Sequence, residues 1–211
     1  PEGPYELIYD DGVAEDLFVW STAMNENAVK FTPSGYPATV IGGRLYVGDG
    51  SFPSGSWLGS EFAILVYADD NGLPGALVDS IGVTVNNYGW VEFWGLDATF
   101  DTDEEFYISM LQLFPAPNAA PLGVDATLPN VYRSYSRTAL GGQWGLSVYQ
   151  DFMIRAYVEG SMTDMLTDSE EVVRPVKVDP EVASKYFMTA NNTPFVTRPG
   201  TVKAGTTGVI E

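Results

Sequence analysis

Carboxylates are the chief chemical resource of this chain. Asp and Glu number 28 against 10 Lys and Arg, and there is neither His nor Cys. Without imidazole or thiol, Ser-His-Asp and Cys-His nucleophilic catalysis, His general bases and the usual zinc sites are excluded. Paired acids such as Glu15, Glu61 or Glu92 remain for glycoside hydrolysis, which needs two carboxyls facing each other across a cleft. With so many acids in one chain, chance pairs are unavoidable, so the chain reads as non-catalytic. Calcium, which takes six to eight oxygens, is the cofactor such loops suit. Three clusters qualify: Asp10, Asp11, Glu15 and Asp16; Asp69, Asp70 and Asn71; and Asp97, Asp101, Asp103, Glu104 and Glu105. None has EF-hand spacing. The expected ligands are Asp69, Asp70 and Asn71, whose oxygens a tight turn holds together, and Asp101, Asp103 and Glu104, where a cation relieves the densest self-repulsion. The alternative is plain turn chemistry and edge charges that oppose aggregation.

Five tryptophans offer a different chemistry, stacking on sugar rings beside polar side chains. Trp90 and Trp94 lie on a strongly apolar segment and read as core. Trp57 follows Ser51-Phe52-Pro53-Ser54-Gly55-Ser56, and Trp144 follows Gly141-Gly142-Gln143. Both sit in loops without periodicity and are the expected contact residues, since exposed aromatics are enriched at contacts. Arg133, Arg137 and Arg155 lie among aromatics and are expected to be anchored by an acid or stacked on a ring.

The elements that must position these residues are strands. Period-2 alternation marks 61–68, 106–111 and 151–158, with further candidates at 5–9, 17–22, 28–32, 39–47, 77–85, 90–96 and 131–138. Aromatics on both faces of 90–96 suggest a central strand covered on both sides. Asn71-Gly72 and Pro74-Gly75 are expected to set two successive turns, and the four prolines of 114–129 a long crossing loop. No helical period of ten or more residues occurs before residue 160. The fold class is therefore all-β: a two-sheet antiparallel β-sandwich, jelly-roll-like, over 1–160, with an extended C-terminal tail over 161–211. Net charge is −18, and 1–160 holds 5 basic against 21 acidic residues. Such a surface repels phosphate backbones and anionic lipid heads, so nucleic acid is not an expected partner. No apolar run reaches the roughly 20 residues that span a bilayer, so no membrane insertion is expected. The chain starts at Pro1 without an apolar leader and reads as a mature or excised piece.

Tyr9-Asp10-Asp11-Gly12, the run Val66-Tyr67-Ala68-Asp69-Asp70-Asn71-Gly72-Leu73-Pro74-Gly75, Tyr132-Arg133-Ser134-Tyr135 and Asp151-Phe152-Met153-Ile154-Arg155-Ala156 occur in that order. In this the chain resembles jelly-roll-like accessory modules of secreted multidomain surface proteins and peptidases of Bacteroidetes-type bacteria. The resemblance covers residues 4–160. It implies an extracellular or cell-surface, non-catalytic unit for adhesion, substrate binding or spacing.

The tail carries an expected short helix over 179–188, with Asp179 as N-cap and Pro180 at the first helical position. Strand-like segments follow at Thr193-Pro194-Phe195-Val196-Thr197 and Thr201-Val202-Lys203-Ala204. The tail reads either as a linker or next-domain start, or as an assembly segment with Phe195 and Val196 as anchors. Two functions follow. One is a structural or adhesive protein, a subunit of a surface or filamentous assembly whose partners are its own copies or neighbouring domains. The other is a carbohydrate-binding accessory module of a secreted hydrolase.

Overall fold

The computed structural model describes residues 4–55, 57–147 and 151–160, and the backbone of 195–197. In chain order the strands are β1 (Tyr5–Leu7), β2 (Asp16–Trp20), β3 (Asn25–Phe31), β4 (Ala38–Tyr46), β5 (Glu61–Asp70), β6 (Leu73–Thr84), β7 (Trp90–Phe100) and β8 (Phe106–Gln112). They continue with β9 (Leu122–Asp125), β10 (Ser134–Arg137), β11 (Gly145–Leu146), β12 (Asp151–Phe152), β13 (Ile154–Gly160) and β14 (Phe195–Thr197). No helix occurs among the described residues, and none there is long and apolar enough to cross a membrane. The expected helix over 179–188 and the segment 201–204 lie outside them.

The strands pair antiparallel in three sheets: a first sheet β1-β13-β4-β7, a six-stranded sheet β11-β10-β3-β8-β5-β6, and a small sheet β12-β9-β2-β14. Alternation decides which side chains meet. Val40, Leu45, Phe93, Phe100, Ala156 and Val158 of the first sheet share one core with Val29, Phe31, Ile64, Phe106 and Ile108 of the six-stranded sheet. Phe31 and Phe100 both stack on Phe106, with ring centroids 5.4 and 5.2 Å away. The expected β-sandwich is thus formed by these two sheets. The small sheet adds Phe18, Trp20, Leu122, Val124 and Phe152 to the same core. Only residues 21–24 separate β2 from β3, and only Met153 separates β12 from β13, so the chain changes sheet at these corners.

Two local readings need correction. β5 and β6 are joined by Asn71-Gly72 alone, with φ of 56° and 86°, the positive values of a two-residue type I′ hairpin. Pro74-Gly75 makes no second turn. Both lie inside β6, a strand at the sheet edge, where a missing N–H is tolerated. The expected long loop 114–129 contains β9, a four-residue strand directly after Pro121.

Candidate functional site

The outward face of the first sheet carries an exposed aromatic platform. In its ladder Glu6 lies opposite Tyr157, Tyr157 opposite Gly42, and Gly42 opposite Trp94. A Cβ on Gly42 would fall 2.3 Å from the Phe93 carbonyl oxygen and 3.2 Å from the Trp94 ring. Glycine therefore leaves the gap over which the two flanking rings meet. Trp94 and Tyr157 stack at 4.7 Å between centroids with 24° between planes, and Trp94 remains 53% exposed. The expectation that this strand is central and covered on both sides is overturned. β7 is the edge strand of its sheet, and Glu92, Trp94, Asp97 and Thr99 on its outer face stay exposed.

Polar groups frame the platform. The Tyr157 hydroxyl donates to Glu92 Oε1 at 3.3 Å. Arg44 donates through Nε and Nη2 to the two oxygens of Glu6, at 2.6 and 2.9 Å, which raises the guanidinium's pKa. Burial, chiefly, raises that of Tyr157. The guanidiniums of Arg44 and Arg155 lie 4.8 and 4.2 Å from the centroid of Trp90. Trp90 is thus engaged as a cation–π partner, while Trp94 is left open.

A second arrangement lies where the β1–β2 loop meets β9 and β12. Carboxylate oxygens of Asp11, Glu15 and Asp125 lie within 4.8 Å of one another. Backbone amides orient them. Val13 donates to Asp11 Oδ1, Ala126 to Glu15 Oε2, and Asp11 and Thr127 to the two oxygens of Asp125. Asp151 stands directly across from Asp125 in the β12–β9 pair. It is 4% exposed; Oδ2 accepts the Val131 amide at 2.8 Å, and Oδ1 is buried without a partner. Burial, helped by the charges of Asp125 and Asp10, pushes this carboxyl up to about 6. Asp10 turns away to hold Arg155 by two hydrogen bonds.

The two expected calcium loops do not gather their acids. Asp69 accepts the Tyr107 hydroxyl on Oδ1 at 2.7 Å and the Gly72 amide on Oδ2 at 3.0 Å, while Asn71 donates to Asp70. The hairpin itself consumes these oxygens. Asp101, Asp103 and Glu104 are exposed, and adjacent Glu105 pairs with Lys30. Among the described residues, neither loop brings three carboxylates within 4.8 Å.

Trp57 is 1% exposed and packs edge-on to Tyr88 at 5.3 Å, so its expected exposure is corrected: the long β4–β5 loop turns this ring inward as its anchor. Trp144 is half-buried, with its centroid 4.6 Å from the Arg137 guanidinium and 5.8 Å from the Tyr67 ring. The arginines follow expectation: Arg137 pairs with Glu26, Arg155 with Asp10, and Arg133 lies 4.2 Å from the Tyr9 centroid. In the tail, β14 joins β2 of its own chain, with Phe195 opposite Trp20 and Val196 opposite Val19.

No protein-family model matches the chain. It is 30% identical over 213 residues to bacillopeptidase F of Bacillus subtilis (strain 168), a match covering 97% of this chain and 14% of that protein. Two solved structures of Cwp84 share its fold. One, a clostridial cysteine protease after propeptide cleavage, has a TM-score of 0.56 at 13% identity over 76% of this chain and 41% of the other. The second, of the cysteine protease and lectin-like domains of this surface layer associated protein of Clostridium difficile, has a TM-score of 0.53 at 12% identity over 76% and 37%. The chain therefore corresponds to a small part of a much longer relative. These relatives come from Bacillus and Clostridium, and the Bacteroidetes-type setting gains no support from them.

Proposed function

We propose that this chain is an extracellular accessory domain, without catalysis of its own, that holds a larger secreted protein to carbohydrate through the Trp94–Tyr157 platform. The observation that carries this reading is an exposed, stacked indole on an open sheet face, framed by Glu6, Arg44, Glu92 and the Tyr157 hydroxyl. A flat apolar ring accepts the C–H face of a sugar, and fixed polar groups at its rim suit hydroxyls. The absence of His and Cys removes the common nucleophilic designs, and the net charge of −18 favours a neutral polysaccharide over a polyanion. Two descriptions of the relatives fit as well: a surface layer associated protein with a lectin-like domain, and a peptidase many times longer than this chain. Adhesion and carbohydrate binding are then one activity, with the platform as its means.

Affinity electrophoresis through gels of soluble neutral polysaccharides, with pull-down on cellulose, chitin and peptidoglycan, tests it. At least one polymer is expected to retard or retain the native chain. Trp94→Ala should weaken that binding tenfold or more, as loss of a central aromatic anchor does, and should leave the melting temperature nearly unchanged. Retention unaffected by Trp94→Ala, or no retention on any polymer, refutes the reading.

A further inference from the structure

The platform of the first sheet is bordered by negative charge that no cation of 1–160 neutralises. Lys30, Arg44, Arg133, Arg137 and Arg155, the five basic residues of 1–160, are each paired with a carboxylate. On this face both cations are already committed. Arg44 stands opposite Glu92 in the β4–β7 ladder yet gives its hydrogen bonds to Glu6, and Arg155 gives its own to Asp10. Glu92 and Asp97, exposed on β7 to either side of Trp94, take part in no ion pair among the described residues. The Asp97 amide donates to Asp79 Oδ2 at 2.8 Å, which brings a third carboxylate, from β6, to the same edge.

Glu92 is tied to the rings. Its Oε1 accepts the Tyr157 hydroxyl at 3.3 Å, and Tyr157 in turn stacks on Trp94 at 4.7 Å. Alternate residues of a strand stand on one face about 7 Å apart, so a substituent on a sugar stacked over Trp94 is within reach of the Glu92 carboxylate. A neutral hydroxyl there makes a hydrogen bond but leaves the charge unanswered. An ammonium answers both parts of the arrangement, because the face of an indole attracts a cation and the carboxylate pairs with it. The field of a chain with net charge −18 also draws in cationic polymers and repels anionic ones.

We propose that the Trp94–Tyr157 platform selects amino sugars with free amines, such as the glucosamine units of a de-N-acetylated polysaccharide, and that Glu92 pairs with the ammonium. This rests on the carbohydrate reading of the platform and narrows its substrate class. N-acetylated and uncharged polymers stack on the same indole without the ion pair and bind more weakly. An exposed pair of this kind is screened by salt, so the selectivity is greatest at low ionic strength.

The test is calorimetric titration of the 211-residue chain with a glucosamine tetramer and with its fully N-acetylated counterpart, at about pH 6, below the usual range of amine pKa values. At about 20 mM salt the amine form should bind about fivefold tighter or more, and the margin should shrink at about 300 mM. Glu92→Gln keeps an oxygen for the Tyr157 hydroxyl and should bring the two affinities to within about twofold of each other. Glu61→Gln removes the same charge from β5, in the other sheet, and should keep the native margin. Equal affinities in the native chain, a margin that survives Glu92→Gln, a margin lost in Glu61→Gln, or equally tight binding of tetralysine overturns the selectivity and leaves the platform reading standing. No binding of either sugar, or binding untouched by Trp94→Ala, refutes the platform reading itself.

Discussion

Glu26 is fully buried, and it is matched there by Arg137. Its Oε1 accepts from Arg137 Nε at 2.8 Å and also from Nη2. Its Oε2 accepts from the Tyr67 hydroxyl at 3.0 Å and the Ser109 hydroxyl at 2.9 Å. Arg137 donates in turn to Tyr67, and Trp144 stacks on its guanidinium. Arg137→Met keeps much of the apolar volume but leaves a buried carboxylate with two neutral hydrogen bonds. Breaking a buried pair from one side costs about 3–5 kcal/mol, a large share of the roughly 5–15 kcal/mol that holds a domain together. At about 2–4 °C per kcal/mol for this chain length, the melting temperature should fall by roughly 6–20 °C. Glu26→Gln in the same background removes the stranded charge while keeping acceptors for Tyr67 and Ser109, so the double variant should recover about 2 kcal/mol or more. Urea unfolding of the native chain, both single variants and the double variant closes the cycle. A single-variant cost below about 1 kcal/mol, or a double variant no better than Arg137→Met alone, refutes the reasoning.

Further outcomes are expected. Burial pushes Tyr135 up to about 12, and it raises Tyr67 and Tyr107 further. Each folded-state value lies above the ordinary 10, so the unfolded chain loses its phenolic protons first, and stability falls as pH rises from about 10 towards 12. Tyr135 alone contributes about 3 kcal/mol to that loss, and ultraviolet titration should show these three of the twelve tyrosines ionising only with unfolding; gradual ionisation of all twelve in a folded chain contradicts this. Gly42→Ala drives a Cβ to 2.3 Å from a backbone carbonyl, so it should cost at least about 2 kcal/mol and splay the platform; a native melting temperature with native polysaccharide retention counts against the Gly42 geometry. Deleting 191–211 removes β14 from the edge of β2. If that strand exchanges between copies to build filaments, light scattering should show oligomers in the intact chain and none in the truncation, and identical scattering from both excludes exchange.

Much of the fold was legible because alternation and turn chemistry are local. Each of the ten expected strand segments overlaps an observed strand, and Asn71-Gly72 announced its hairpin by the one backbone geometry that favours both residues. β9 escaped because its four residues follow Pro121 in a proline-rich run, where composition reads as loop. That miss had a consequence for chemistry. Asp125, the residue that gathers Asp11 and Glu15, lies at the end of the overlooked strand, so the sequence offered the first acidic cluster without the partner that gives it geometry. Local acid density pointed instead to the hairpin, where the turn and Tyr107 take up the oxygens of Asp69 and Asp70, and to 97–105, where the acids stay exposed or pair with Lys30.

The tryptophans were misassigned for a related reason. Position within a strand or loop says which way a side chain alternates, but exposure depends on what covers that side. β7 turns Val91, Phe93, Leu96, Ala98 and Phe100 inward, and this inward row accounts for its place in the core. Trp90, Glu92 and Trp94 then face outward as a set, and only pairing order shows that β7 ends its sheet. Gly42 is the residue that links the two levels. In sequence it is half of an unremarkable Gly42-Gly43 pair. In the sheet it is the gap between Tyr157 and Trp94, and an exposed indole stacked across such a gap is costly to leave in water. Covering it on binding carbohydrate, as proposed, would recover that cost, whereas Trp57 is buried and Trp144 is packed against Arg137 and Tyr67.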